Sequence, residues 1–311
     1  MLMCKRIISV LLMMLIVASP SSAKTKYYKR WRHYTSLDTV LLKVNYLKTY
    51  KECVDDQSHK TNICELVIGE EICRFQTSPY KYFRDHPPQE IIEKAHASED
   101  SSTVYASYAT KLLFSSKYDQ EMGEQYFKNY PVPGITTVIT KMTHPGSFYA
   151  YEEPLTKSEW QLEEGDSIVC GYSCAKATTT IRGRTWHVWY TLDIPFSEGP
   201  WKLCGLPGLI LKATDSTGEF DFTAIAVEEE HSNYEEDNKV TVFNNKLTMF
   251  TPLRYEQLLR LYYDNIIQYH TVLSGARIAE QLVQGQAKMG VPLIPEHKTP
   301  CLIEYYGDKT E

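Results

Sequence analysis

Residues 171–191 bring together a thiol, an amine, an imidazole and an indole, side chains that could bind a ligand or act on one. They belong to Cys174, Lys176, His187 and Trp189. A histidine in this setting could serve as a base or as a metal ligand, although the sequence offers it no evident partner. A lysine beside a tryptophan gives a cation–π contact worth about 0.5–1 kcal/mol where it is exposed. A structural role and a ligand-binding role are therefore both open for this group.

Nearby basic residues extend the group into a candidate binding site. Arg182 and Arg184 could join the lysine and the tryptophan in holding an anionic or amphipathic ligand on a concave sheet. The serine-elbow, zinc-peptidase, phosphate-loop and dinucleotide motifs of common enzymes do not occur, so we predict no catalytic residue, no metal site and no cofactor. The candidate binding residues are Cys174, Lys176, Arg182, Arg184, His187, Trp189, Trp201 and Lys202.

A β-hairpin is the element that would position these side chains. Glycine supplies the positive φ that a tight turn at Arg182-Gly183 needs. That turn sets Lys176 opposite Trp189 and Thr178 opposite His187. Because side chains alternate between the two faces of a strand, one face becomes a core face and the other a mixed polar and aromatic surface. The predicted core face carries Ala175, Ala177, Ile181, Trp186, Val188 and Tyr190, and the opposite face carries Cys174, Lys176, Thr178, His187 and Trp189.

Short strands separated by turn residues recur along the chain, which predicts antiparallel β structure. We expect a mainly β fold, a curved antiparallel sheet or half-barrel with a C-terminal helix packed on it. It would form one domain over residues 24–311, with a loop-rich insertion around 77–130. The expected strands are Leu41–Tyr46, Ile63–Phe75 with a turn near Gly69, Thr136–Lys141, Ser147–Glu152, Glu159–Leu162, Ser167–Tyr172, Leu209–Thr214, Glu219–Val227 and Leu302–Tyr306.

Three helices are expected between the strands and near the C-terminus. Thr251 can cap the clearest of them and Pro252 fits its first position, and apolar residues then recur at helical spacing. The segments Gln89–Ala97 and Arg277–Met289 are the other two.

The segment Gly199–Ile210 holds a dense set of residues that direct the backbone. Its prolines cannot donate to a sheet ladder and so mark strand starts, while its glycines permit tight bends. Trp201 can cover the resulting corner, whereas turn geometry does not explain Lys202. A folding corner is favoured over a ligand site. The structural motif comprises Gly199, Pro200, Gly205, Leu206, Pro207, Gly208, Leu209 and Ile210.

This motif resembles the one that names the GLPGLI family, whose members are exported proteins found mainly in Gram-negative bacteria of the Bacteroidetes group. The similarity runs from Gly171 to Asp215 and includes the hairpin turn described above. No biochemical role is established for that family. The resemblance therefore implies export but no particular activity.

The N-terminus has the pattern of an export signal. Lys5 and Arg6 precede the apolar run Ile7–Ala18, and the small residues Ser21–Ala23 fit a cleavage site. The run is shorter than the ~20 apolar residues that a membrane helix needs. We predict a signal peptide over residues 1–23, no transmembrane segment after its removal, and a location in the periplasm or outer envelope of a Gram-negative bacterium.

Seven of the eight cysteines follow the predicted signal peptide. An exported chain meets oxidants, so some of these cysteines are expected to pair, and the odd number leaves at least one over. Cys53 with either Cys64 or Cys73 is the plausible local disulfide.

Composition narrows the function without deciding it. The net charge of −6 argues against general binding of nucleic acid. The absence of catalytic motifs and the 23 Tyr, 10 Phe and 5 Trp residues favour a non-catalytic binding or carrier protein for a small amphipathic ligand or peptide. The alternative is an envelope assembly protein that acts through contact with a protein partner, supported by the basic, aromatic stretch at residues 24–32 and the odd cysteine. A hydrolase is the third hypothesis.

Overall fold

The structure, a computed structural model, describes most of the chain after the N-terminal region. The predicted signal peptide, the basic stretch at residues 24–32 and the predicted helix Arg277–Met289 lie outside the described residues. The described residues are 34–77, 89–98, 103–104, 107, 124–140, 148–156, 158–228, 238–243, 246–274 and 298–306.

Thirteen strands form one open, curved sheet, in the order β13-β6-β5-β4-β3-β2-β1-β11-β10-β9-β8-β7, with β12 beside β1. In the described part of the chain every pairing is antiparallel except that of β13 with β6. The predicted fold class is confirmed. The strands are β1 (Tyr34–Tyr50), β2 (Lys60–Gly69), β3 (Cys73–Thr77), β4 (Gln125–Lys128), β5 (Ile135–Thr140), β6 (Phe148–Pro154), β7 (Gln161–Val169), β8 (Tyr172–Ile181), β9 (Arg184–Thr191), β10 (Leu209–Asp215), β11 (Phe220–Glu228), β12 (Lys239–Phe243) and β13 (Leu247–Met249).

Within the described residues three helices accompany the sheet: α1 (Gln89–His96), α2 (Pro252–Asp264) and α3 (Ile266–Ser274). The hydroxyl of Thr251 accepts from the backbone N–H of Arg254 at 3.2 Å and caps α2 as predicted. The single C-terminal helix expected from the sequence is divided in two at Asn265, whose backbone is extended. The side chain of Asn265 accepts from the backbone N–H of Gln268 at 2.9 Å and so caps α3. Asparagine is disfavoured inside helices because its side chain competes in this way with the hydrogen bonds of the helix backbone.

The hairpin of β8 and β9 has the predicted turn and register. Arg182 and Gly183 both have positive φ, 50° and 77°, as a two-residue hairpin turn of this class requires. Lys176 lies opposite Trp189, and Thr178 lies opposite His187. The predicted separation of the two faces therefore holds over this part of the hairpin.

Cys174 is an exception, because the prediction that it joins the polar face is wrong. The register of β7 against β8 shifts between Glu163 and Asp166, where two extra residues are accommodated, and such a bulge bends and twists the strand. Beyond it the thiol of Cys174 belongs to the core cluster, with a relative exposure of 2%. The same bulge joins the strands predicted at Glu159–Leu162 and Ser167–Tyr172 into the single strand β7.

The predicted strand Leu302–Tyr306 is also wrong. This stretch is irregular, because side chains take the hydrogen bonds that a ladder would need. The Nε of Arg184 donates to the carbonyl of Leu302 at 2.7 Å, and the backbone N–H of Tyr306 donates to the carboxylate of Glu256.

The two faces of the sheet are buried to different extents along its width. The face that carries Trp186, here called the inner face, holds the main core together with α2 and α3. On the opposite face a second core cluster joins Val67 and Phe127 to Val240 of β12, so the β2–β6 part of the sheet is covered on both sides. The same face of β7–β11 carries Lys176, His187 and Trp189, and we call that region the outer face.

All seven described cysteines are free thiols, so neither of the predicted local disulfides is formed. Cys53 lies in the connection that follows the Tyr50–Lys60 pair closing the β1–β2 hairpin. Cys64 lies four residues further along β2, which places it about 13 Å from the end of the strand. Cys73 is on the next strand and opposite Lys128. Both are too remote for a bond with Cys53.

Candidate functional site

The glycine-rich motif forms a tight corner between β9 and β10. A Cβ on Gly208 would lie 1.9 Å from the carbonyl oxygen of Thr191, so no larger residue fits there without displacing backbone. Trp201 has a positive φ of 54° and is fully buried against Trp186, with ring centroids 5.5 Å apart. The expectation of a folding corner covered by Trp201 agrees with this geometry.

A buried lysine of β4 ties the corner together. The Nζ of Lys128 donates to the carbonyls of Gly199 at 3.1 Å and Leu203 at 3.0 Å and pairs with Glu198 at 2.5 Å. Burial is the largest single influence on the pKa of this ammonium and lowers it, but Glu198 together with the nearby Cys73 and Cys204 raises the pKa overall. The lysine therefore stays charged and stabilises the corner through its hydrogen bonds to the two carbonyls.

Lys202, which turn geometry did not explain, points from the corner into a second charged network. Its Nζ lies 2.6 Å from a carboxylate oxygen of Glu153 and also pairs with Glu304. It donates to the hydroxyls of Tyr151 at 3.1 Å and Tyr306 at 2.8 Å. One ammonium thus faces two carboxylates, and all of these groups are nearly excluded from solvent.

The residues Lys298–Tyr306, here called the C-terminal segment, supply half of this network and contact the hairpin tip. The backbone N–H of Tyr305 donates to the carbonyl of Arg182 at 3.0 Å. Arg182 pairs with Glu153 at 2.5 Å. Arg184 pairs with Asp215 at 2.6 Å. Both arginines are therefore engaged within the chain rather than available to a ligand.

Burial sets the ionisation of this inner network. It raises the pKa of Glu304, against the lowering effect of the Lys202 ammonium. It also raises the pKa of Tyr151, so the tyrosines act as neutral hydrogen-bond donors. Next to them Glu124 accepts from the hydroxyls of Tyr126 and Tyr255.

A cavity adjoins the network but is too small for a substrate. Its volume is ≈ 20 Å³, and Glu124, Tyr255, Glu304 and Tyr306 are among its lining residues. A cavity needs about 10–15 Å³ to hold one water molecule. Among the described residues, the space next to this network therefore suits a water molecule rather than an organic ligand.

The outer face, by contrast, presents two rows of side chains that cross the five strands β7–β11, and the rows continue onto β1 and β2. Residues paired across neighbouring strands share a face, and the pairings of β7, β8, β9, β10, β11, β1 and β2 align them. The first row is Gln161, Thr178, His187, Thr214, Asp221, Thr49 and Thr61, and the second is Glu163, Lys176, Trp189, Lys212, Thr223, Leu47 and Ile63.

Trp189 lies in the second row between two lysines, Lys176 and Lys212. Its ring is partly exposed, and a Cβ on Gly165 of the β7 bulge would lie 3.6 Å from it. Lys176 pairs with Glu163 at 2.5 Å, and that contact leads the causes that lower the pKa of Glu163. Charged side chains thus flank the indole, and Lys176 has a carboxylate partner that offsets its charge.

The first row places hydroxyls and one carboxylate beside the row that holds the indole. The ring Nδ1 of His187 lies 3.1 Å from the hydroxyl of Thr178. The hydroxyl of Thr214 donates to Asp221 at 2.5 Å, and that of Thr223 donates to the same carboxylate at 2.7 Å. This arrangement offers both hydrogen-bond donors and acceptors beside an aromatic ring.

The eight residues proposed from the sequence fall into three places. Lys176, His187 and Trp189 are together on the outer face. Arg182, Arg184 and Lys202 contact the C-terminal segment, and Cys174 and Trp201 are in the core. The sequence analysis missed Lys212, Thr214 and Asp221, although the alternation in Leu209–Thr214 and Glu219–Val227 would have placed them on one face.

Two further observations concern membranes and metals. In the parts of the chain with assigned positions, no helix has the length and apolar character to span a bilayer. Within those same parts, no three His, Cys, Asp or Glu side chains converge in a way that would hold a metal ion.

Comparison with solved structures found partial similarity only. Two crystal forms of PNGF-II, in space groups P21 and C2, match with TM-scores of 0.42 and 0.43 and identities of 17% and 15%. These matches cover 71% and 72% of this chain but 33% of each PNGF-II chain. A complex of MucB with MucA(peri) matches with a TM-score of 0.27 and 9% identity, over 66% of this chain and 56% of that one.

No curated protein gives a significant match to the chain. The sequence model of a protein family does match, over residues 89–256, which is more than half of the chain and includes the corner, the hairpin and the first turn of α2. The chain belongs to the family described as N-glycanase peptide, N-terminal domain, of PNGase F-II.

Proposed function

We propose that this is a non-catalytic binding protein of the cell envelope, and that its small amphipathic ligand lies on the outer face around Trp189. The observation that carries the proposal is the partly exposed indole of Trp189, which lies between Lys176 and Lys212 in one row of the outer face and beside His187 and Thr214 of the other row. We do not place the ligand beside the Lys202 network, because the cavity that the described residues leave there is ≈ 20 Å³.

A glycan is the class of amphipathic ligand that fits this surface. A sugar ring has an apolar C–H face, which an indole can cover, and a rim of hydroxyls, which Asp221, His187 and the threonines can bond. Aromatic residues with one apolar and one polar aspect suit such ligands. The name of the family, which refers to an N-glycanase, agrees with this choice, although the chain spans 33% of the PNGF-II chains that it resembles.

Export and the GLPGLI relationship remain parts of the proposal. The basic residues and apolar run at the N-terminus support export to the periplasm or outer envelope. The segment Gly199–Ile210 supports the relationship with the GLPGLI family. Neither depends on the identity of the ligand.

Isothermal titration calorimetry with a free high-mannose N-glycan oligosaccharide tests the binding role. We expect wild type to bind and Trp189→Ala to lose at least ten-fold in affinity, equivalent to about 1.4 kcal/mol. Leu162→Ala is the matched control, because Leu162 is 68% exposed on the adjoining edge strand but lies in the register of the inner face, opposite Ala177. Absence of binding by wild type, or equal affinity in all three proteins, would refute the proposal.

A second candidate function, contact with a protein partner, is favoured by the edge of the sheet. β7 ends the strand order, and its Leu162 and Ile168 are 68% and 78% exposed. An exposed strand edge can pair with a strand of another protein. The bulge and the acidic residues Glu163 and Asp166 would restrict such pairing to a matching partner. Crosslinking in the native envelope distinguishes this role from glycan binding.

A further inference from the structure

The C-terminal segment and the connection after β1 run side by side near two buried cysteines. The backbone N–H of Val54 donates to the carbonyl of Thr299 at 3.0 Å, and that of Cys301 donates to the carbonyl of Glu52 at 2.9 Å. These bonds enclose an antiparallel bridge between Cys53 and Pro300. Cys301 is therefore diagonal to Cys53 across the bridge.

The spacing of such a bridge suits a disulfide. Directly opposed residues of a non-hydrogen-bonded antiparallel pair have Cα atoms about 4.5 Å apart. One further residue adds about 3.4 Å at right angles, which puts the Cα atoms of Cys53 and Cys301 roughly 5–6 Å apart. Disulfides form most often at a Cα separation of about 5.5–6 Å.

Regular strands would direct adjacent side chains to opposite faces, but this pairing is a single bridge outside the named strands. A turn also begins at Cys53, since the N–H of Asp56 donates to its carbonyl at 3.1 Å. The two thiols are close enough for Cys53 to be among the groups that raise the pKa of Cys301. Both cysteines are buried, with relative exposures of 3% for Cys53 and 8% for Cys301.

We propose that Cys53 and Cys301 are a disulfide pair that forms when the protein meets an oxidant of the disulfide class. In the first step the thiolate of one cysteine attacks the oxidant, for example oxidised glutathione, and releases one glutathione thiolate. The thiolate of the other cysteine then attacks the mixed disulfide and releases the second glutathione. Two thiols are oxidised, one disulfide is reduced to two thiols, and the protons pass to the two leaving thiolates.

This bond would fasten the C-terminal segment to the β1–β2 hairpin and so hold Glu304 and Tyr306 against Lys202. The reaction is expected to be slow at neutral pH. Burial, aided by Glu219, raises the pKa of Cys301 to about 12, and burial likewise raises the pKa of Cys53. Exchange would therefore proceed during local opening of the segment.

Peptide mapping of the full chain after incubation with oxidised glutathione tests the proposal. We expect a peptide in which Cys53 is joined to Cys301, present without reductant and absent with it. The oxidised protein should melt about 5–10 °C higher than the reduced protein. Cys301→Ser should abolish the rise, whereas Cys64→Ser should keep the linked peptide.

Two results would overturn the proposal: Cys53 and Cys301 both alkylated by iodoacetamide after denaturation of the oxidised protein, or either of them joined to another cysteine. The mapping on wild type decides the matter even where a variant does not fold.

Discussion

The ammonium of Lys202 balances two buried carboxylates, those of Glu153 and Glu304, so its charge is expected to matter more than its volume. Methionine has a similar length and no charge. We predict that Lys202→Met lowers the free energy of unfolding by about 3–5 kcal/mol, the range for removing one partner of a buried ion pair. Urea denaturation of the variant and wild type measures this difference.

Lys176 provides the matched control for that change. Its pair with Glu163 is about one third exposed on both sides, so solvent screens the pair and Lys176→Met should lower the free energy of unfolding much less than Lys202→Met does. If the two variants lose equal free energy of unfolding, the view that burial makes the Lys202 ion pairs important for stability is wrong.

The sequence predicted the placement of some site residues but not the partners of others, because only some of these contacts are local. His187 and Trp189 could be assigned to one face because alternation along a strand is local. Lys202 could be recognised as unexplained, but not paired, since its partners Tyr151 and Glu304 lie 51 and 102 residues away in the chain. These groups meet only once the corner, β6 and the C-terminal segment are packed together.

At the scale of elements, the corner between β9 and β10 rests on close approach of two backbones. A Cβ at Gly208 would overlap the carbonyl of Thr191, and neither group can move without disturbing a strand. We predict that Gly208→Ala lowers the free energy of unfolding by about 3 kcal/mol, at the upper end for overpacking. Thermal and urea denaturation both measure the loss.

Gly218 is a control in which a side chain would strain the backbone but would not overlap any neighbouring atom. It has a positive φ of 68° and open space where a Cβ would stand. Gly218→Ala should therefore cost about 1 kcal/mol, from the left-handed backbone alone. A larger loss at Gly218 than at Gly208 would contradict the steric explanation of the corner.

Elements with strong local signals were predictable, and those decided by competing contacts were not. The turn at Arg182-Gly183 and the cap at Thr251 depend on residues within a few positions. The helix break at Asn265 depends on whether its side chain caps α3 or points away. The segment Leu302–Tyr306 has the composition of a strand, but contacts with Arg184 and Glu256 replace the ladder.

At the scale of the whole molecule, the curved β sheet followed from the spacing of strands, whereas its uneven burial did not. β12 covers one part of the outer side because it pairs with the first half of β1, some 200 residues earlier. Such a pairing has no local signal. It leaves β7–β11 with one side open, and this is what gives the outer face its exposure.

The C-terminal segment closes the molecule on the inner side, so its removal should affect the whole fold. A chain ending at His297 would lack Glu304 beside Lys202, the carbonyl of Leu302 beside Arg184, and the backbone pairing with Val54. We predict that its thermal midpoint falls by about 10 °C or more, equivalent to several kcal/mol for a domain of this size. A chain ending at Tyr306 keeps each of these contacts and should melt close to the full chain. Coincident melting of both truncated chains would show that the segment does not stabilise the sheet.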